Sequence, residues 1–309
     1  MFEAVIADPL SAAIVREMTS KLAAGRGSLA GDMNSATRRV FASPGLFLPH
    51  LHAETGGGVN DLAAAGVTSW TLAVFGADFA ALSGEIAKLA RLPLASAPGF
   101  RGVFVEGPFI SVAGAEDFDI RALEAFLDGT ALPIAALAFA PERIDPASLL
   151  PLLDEKDVCG VVAHTKADLD TCKVAFDSGA SGLSLPFVAT PTLHHRSPGP
   201  LGAAAEASAR CEVPVGMPGF TAQMGAFVAS VFKERAEAIY HPLSHPGPIP
   251  AGALPADFAR RAARAMGLGA AEFLSLYIGG TSARDSFVLF DEELNVLATV
   301  ICGKTAFEG

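Results

Sequence analysis

Short apolar, β-branched runs alternate along this chain with Ala- and Leu-rich stretches whose charges recur at helical spacing. That alternation is the signature of βα units feeding a parallel sheet. Eight runs read as strands: Leu46 to His52, Val67 to Phe75, Gly102 to Ile110, Pro133 to Ala140, Gly160 to Thr165, Gly182 to Phe187, Cys211 to Met217 and Ala236 to Leu243. Between them, Ala77 to Ala90, Ile120 to Leu127, Lys166 to Asp177 and Ala222 to Arg235 read as helices long enough for right-handed crossovers. Eight repeats predict an α/β fold of the closed (β/α)₈ TIM barrel type. A doubly wound open sheet alternates in the same way and ranks second, because no GxGxxG fingerprint follows the first run. After the eighth run, a helix around Asp257 to Met266 precedes a strand pair, Ser286 to Leu289 and Val296 to Ile301, joined by the polar stretch Asp291 to Asn295. The pair is expected to pack on the N-terminal segment. The division is then a small subdomain built from both termini, residues 1–45 and 285–309, beside a barrel of residues 46–284.

Composition narrows the partners. With 309 residues, 51% of them hydrophobic, the chain can bury a large core and is neither disordered nor fibrous. A formal net charge of −11 without a Lys/Arg cluster leaves no footprint for nucleic acid or anionic membranes, so small molecules are the expected partners. Cys159, Cys172, Cys211 and Cys302 are widely spaced, without a CxxC, and read as buried thiols rather than disulfides or zinc ligands. No stretch approaches the ~18 apolar residues of a membrane span, and the N-terminus lacks a signal pattern, so a cytoplasmic protein is expected.

The seven histidines carry the candidate chemistry. His50, His52, His164 and His241 fall at or near the ends of the first, fifth and eighth runs, and His194 and His195 lie after the sixth, on the face where this fold places its sites. Any one of them could be a hydrogen-bonded structural residue; all of them avoiding every helix favours a site. His50 and His52 share one face of a strand, because side chains alternate with period two. Glu106, in VFVEGPF at the end of the third run, is either a solvated loop carboxylate or a ligand. With His164 in VVAHT, these residues offer a His/His/Glu/His set for a divalent metal, zinc by preference.

The segments SPGLFLPHLHAETGGGVND, AAGVTSWTLAVFGAD, GVFVEGPFIS, VAHTKADLDTCKVAFDSGAS, LHHRSPGPLGAA and FDEELNVLATVICGK resemble successive blocks of the N-acetylglucosamine-6-phosphate deacetylases of the amidohydrolase superfamily, from about Ser43 to Lys304. The resemblance implies a metal-dependent sugar amide hydrolase with a (β/α)₈ barrel and a small β-sandwich from both chain ends. It matches Glu106 and His164 to metal ligands and His50-x-His52 to a first-strand motif of many members. It makes the loop of His194, His195 and Arg196 substrate-binding, His195 and Arg196 lying near a sugar phosphate, where a guanidinium can grip bidentately. It also implies a homodimer.

The departures bear on activity. The family's ligand histidine after the sixth strand falls on Leu185 and the asparagine of the next turn on Val188. The Asp-Gly-x-His run after the seventh is Met217-Pro218-Gly219-Phe220, and the general acid/base aspartate after the eighth aligns with Pro242. The segment Ser11 to Ala24 reads as helix where the family has strands. Two readings follow. In one, a retooled hydrolase uses His241 or His245 as catalytic base or extra ligand. In the other, an inactive barrel serves as a ligand-binding or scaffold subunit. A metal-free aldolase or isomerase has only Lys166 to offer.

Overall fold

A computed structural model of the chain describes residues 2–4, 40–111, 119–188, 190–242, 254–276 and 285–309. The predicted Ser11 to Ala24 helix and His245 lie outside these residues. Eight parallel strands follow one another in sheet order: β3 (Leu46–His52), β4 (Val67–Phe75), β5 (Phe100–Glu106), β6 (Ile134–Phe139), β7 (Cys159–Val162), β8 (Gly182–Leu183), β9 (Arg210–Val215) and β10 (Ala236–Tyr240). β10 returns to the side of β3, which closes the (β/α)₈ barrel. A second sheet has the order β1 (Phe2–Ala4), β2 (Val40–Ser43), β11 (Phe287–Asp291), β12 (Val296–Ile301) and β13 (Lys304–Glu308), and thus draws on both chain ends. The expected strand pair is β11 with β12, and β11 also pairs antiparallel with β2.

Local chemistry sets where the elements start and stop. Asp78, Asp119, Asp145 and Asp168 each follow a strand and accept a backbone N–H of the next helix, at Phe79–Leu89, Ile120–Gly129, Pro146–Glu155 and Leu169–Asp177. The helices Pro146–Glu155 and Gly199–Glu206 have no counterpart among the sequence expectations, because proline and glycine at their starts mask the pattern. Six of the eight strands are shorter than the apolar runs suggest, and at three of them a positive φ marks the stop. β7 stops before His164 (φ 44°), β8 before Leu185 (φ 43°) and Phe187 (φ 74°), and β9 before Gly216 (φ 86°). A positive φ turns the chain out of the extended conformation, however apolar the side chain.

The terminal sheet seats on the barrel through one face. Val288 and Phe290 join the main core, while Phe287 and Leu289 belong to a separate cluster on the other face, as period-two alternation requires. A register shift between Leu289 and Phe290 puts Val296 with the first set and Ala298 and Val300 with the second. Thr299 Oγ1 donates to the Ala63 carbonyl at 2.6 Å. Trp70 is fully buried, as expected of a core residue, and Tyr240 packs partly buried against Phe258. The reading of four buried thiols needs correction: all four cysteines are free, but only Cys172 and Cys211 are buried. Cys159 opens β7 at the barrel rim and Cys302 sits in the turn between β12 and β13, so neither has chain packed over it.

Ala73, Phe104, Ala136, Ala138 and Ala163 form a cluster of mostly small side chains facing the lumen, with Val161 packed against it. Towards the strand starts a cavity of about 360 Å³ remains, bounded by Phe47, Phe104, Val161, Leu183 and Glu212 among others. Close packing governs the shell. Helix Ala222–Phe232 lies against helix Phe258–Met266 at Gly225, where a methyl group would stand 2.0 Å from the Ala265 carbonyl oxygen. Gly225→Ala would gain about 1 kcal/mol of helix propensity. It would also force the two backbones apart, at a cost of about 3 kcal/mol. The expected result is a net loss of about 2 kcal/mol in urea denaturation.

Candidate functional site

The C-terminal ends of β3, β5, β7 and β10 bring five polar side chains into one buried knot: His50, His52, Glu106, His164 and His241. His50 and His52 share a face of β3, with ring centroids 5.2 Å apart. His241 follows β10, its N–H donating to the Val215 carbonyl at 3.0 Å, and its ring lies 5.5 Å from that of His50 and 5.4 Å from that of His52. One ligand nitrogen from each of the three histidines lies within 4.8 Å of the others. Glu106 faces them from β5, its Oε2 3.4 Å from His50 Nε2 and 3.7 Å from His52 Nε2. His164 Nε2 reaches the other oxygen, Oε1, at 3.0 Å. The φ of 44° at His164 is a strained value for a non-glycine residue, and the backbone there is held by Ser111 N–H donating to the His164 carbonyl at 2.9 Å.

Charge is concentrated in this knot. Burial works against a proton on His50, but the flanking carboxylates, Glu106 and then Glu212, outweigh it and lift its pKa from 6.5 to about 10. Burial likewise opposes ionisation of Glu106, yet His50 and the His164 hydrogen bond hold its carboxyl well below the usual range. His50 Nε2 and Glu106 Oε2 are buried, and neither makes a hydrogen bond among the described residues. Their 3.4 Å separation matches the edge of a tetrahedron built with bonds of about 2.0–2.1 Å. Imidazole nitrogens and a carboxylate oxygen are also the donor set of zinc-type ions. By donor chemistry and spacing, the residues fit a divalent metal.

Sequence reasoning picked out all five of these residues but missed Glu212. This carboxylate sits inside the apolar strand β9, is buried, and faces the lumen beside His50. Its signal was there to read: a charged residue in the run CEVPV needs a partner. Glu142, after β6, is a clasp. It accepts from the hydroxyls of Ser111 and Thr165 and from the Lys166 N–H at 2.5 Å, tying together the exits of β5, β6 and β7. Burial opposes its ionisation, but these donors, led by Ser111, lower its pKa overall. The stability it adds is present above the ordinary carboxylate range and is lost as pH falls through the lowered value.

Other candidates stand apart from the knot. His194, His195 and Arg196 are exposed, the two imidazoles 4.1 Å apart, in a tight turn closed by paired backbone bonds between His194 and Ser197. Leu185 is buried at the end of β8 and Pro242 follows His241, so neither position supplies a polar side chain. Lys166 and Arg143 are exposed. The glycine run after β3 makes a turn between two short helices, with Gly57 at φ 67° and the Gly58 N–H donating to Asp61 Oδ2 at 2.7 Å.

The barrel and the terminal sheet have the fold of solved N-acetylglucosamine-6-phosphate deacetylases. The structure of the deacetylase from Mycobacterium smegmatis superposes with a TM-score of 0.70 at 22% identity, covering 90% of this chain and 91% of that one. In sequence, the chain is 26% identical over 186 residues to the N-acetylglucosamine-6-phosphate deacetylase of Vibrio furnissii, covering 53% of this chain and 47% of that protein. It is also 26% identical over 148 residues to the N-acetylgalactosamine-6-phosphate deacetylase of Escherichia coli O157:H7, covering 45% and 39%. The matched region thus spans about half or less of these curated relatives. No protein-family model matches the chain. Among the described residues, no helix is long and apolar enough to cross a membrane.

Proposed function

We propose that this chain is a divergent metal-dependent amidohydrolase acting on an N-acylated, phosphorylated small molecule, with an N-acetylhexosamine 6-phosphate as the first substrate to try. One observation carries the reading: three imidazoles converge, buried, at the barrel mouth, a carboxylate faces two of them, and among the described residues the facing atoms His50 Nε2 and Glu106 Oε2 make no hydrogen bond. In this reading His50, His52 and His241 hold a zinc-like ion together with Glu106, and His164 steadies Glu106 from behind. Of the two roles expected for His241, base or extra ligand, this arrangement takes the ligand. A bound ion of this kind supplies a Lewis acid and an activated water. The chain's own residues do the rest. Arg196 and His195, exposed on the loop after β8, are available to grip a phosphate and orient the amide towards the mouth. His245, in the segment after β10, is the remaining candidate for moving the proton to the leaving amine.

A second reading is favoured by Pro242 and Leu185. With Pro242 where the resemblance expects a carboxylate and Leu185 where it expects a ligand histidine, the barrel would bind its ligand without hydrolysing it. Elemental analysis of purified protein tests the shared premise. The expected result is about one zinc, iron or manganese per chain, removed by His164→Ala through loss of its hold on Glu106. Protein that stays metal-free after incubation with zinc would overturn the metal-dependent reading. Metal-loaded protein that releases no acetate from N-acetylglucosamine 6-phosphate would favour the binding role.

A further inference from the structure

We infer that Glu212 is a positioning residue for this centre: its carboxylate fixes the His50 imidazole so that Nε2, and not Nδ1, is presented to the ion. The inference rests on the metal-dependent reading above and adds a residue to which that reading gives no role. An imidazole can ligate through either nitrogen, and the choice is set by what holds the other one. Here the two sides of His50 are sharply different. Nε2 faces Glu106 Oε2 at 3.4 Å. Nδ1 faces Glu212, with both carboxylate oxygens at 3.4 Å, and Ser184 Oγ lies 3.3 Å away. Phe104 stacks on the ring at 4.6 Å and 14°, which sets its plane but cannot choose between its nitrogens.

Glu212 is itself held. Its Oε2 accepts from the Ser184 hydroxyl at 2.6 Å and from the Leu185 N–H at 3.0 Å. A carboxylate buried in an apolar strand is costly unless hydrogen-bonded, and these donors, with His50, supply the bonds. The Leu185 contact is informative. This residue stands where the resemblance expects a ligand histidine, and its φ of 43° is strained for a leucine. The side chain there has no donor to offer a metal, yet the backbone amide anchors the partner of another ligand. On its far side Glu212 borders the lumen cavity, so the two hydrogen bonds, and not packing from below, keep it against His50.

The test is zinc affinity, measured by competition with a chromophoric chelator, for the wild type and for Glu212→Gln. The glutamine keeps the size and an oxygen for the Leu185 N–H but removes the charge. The expected loss is about 10- to 100-fold, the range found for carboxylate partners of ligating histidines. A structural role alone would not alter the coordination of His50, so ¹⁵N-histidine NMR of zinc-loaded protein supplies the second readout. His50 should show a metal-shifted Nε2 and a slowly exchanging Nδ1 proton, and Glu212→Gln should move or lose that proton signal. If Glu212→Gln fails to fold, Ser184→Ala, which removes one anchor and leaves the carboxylate, should weaken zinc binding by a smaller factor and shift the same signal. Unchanged affinity and an unchanged Nδ1 signal in the variant, or ligation of His50 through Nδ1, would overturn the inference while leaving the metal reading intact. Wild-type protein without zinc affinity would overturn both, and is thereby told apart.

Discussion

His50→Ala protein is expected to leave purification without its metal and to bind zinc more than about 100-fold more weakly than the wild type, beyond the loss typical of outer residues. His50 lies closer to Glu106 than His52 does, 3.4 Å against 3.7 Å, and its Nε2 makes no hydrogen bond among the described residues. It is also the cation between two buried carboxylates, Glu106 on one side and Glu212 on the other. Its removal leaves both without that partner, so the metal-free variant should lose about 3–5 kcal/mol of stability, as when one member of a buried pair is removed. Elemental analysis and urea denaturation in the presence of a chelator measure the two effects separately. A variant with wild-type metal content would mean that the ion sits elsewhere.

Pro242→Asp is expected to raise the release of acetate from N-acetylglucosamine 6-phosphate by about 10²- to 10⁴-fold, the usual contribution of a positioned acid/base group. The position follows His241, whose backbone is tied to Val215, so a carboxylate there would stand at the rim of the buried histidines. Freed of the proline ring, the backbone at this half-buried position need not move far. The gain should appear in kcat, with KM little changed, because the group is used in the transition state and not in binding. Pro242→Asn, which has the shape without the proton chemistry, should show no gain. Equal rates for the aspartate and asparagine variants would remove the argument that a missing carboxylate limits this protein.

Both predictions turn on residues that the sequence made legible to different degrees. The alternation of apolar runs and helices gave the order of βα units, with the closed barrel ranked ahead of an open sheet that alternates in the same way, and the apolar strand pair near the C-terminus gave part of the terminal sheet. These are consequences of periodicity, which local sequence carries in full. Period two also put His50 and His52 on one face before any tertiary contact was known. The strand ends were less legible. The apolar run Gly182 to Phe187 reads as strand throughout, but β8 is two residues long because Leu185 and Phe187 turn to positive φ. Composition does not encode that turn; the surrounding chain imposes it.

What the sequence determined by itself was thus the order of elements and the residue types arriving at the mouth. What only the tertiary structure decided was their partnership. Barrel closure sets His241, after the last strand, beside His50 and His52 of the first, where the sequence had left it open between base and extra ligand. It turns His164 onto Glu106, leaves His194, His195 and Arg196 out on an exposed turn, and brings Glu212 across the lumen to His50. The physical reason is that a strand fixes which way its own side chains point, whereas which strand stands opposite depends on how the whole sheet curves and closes.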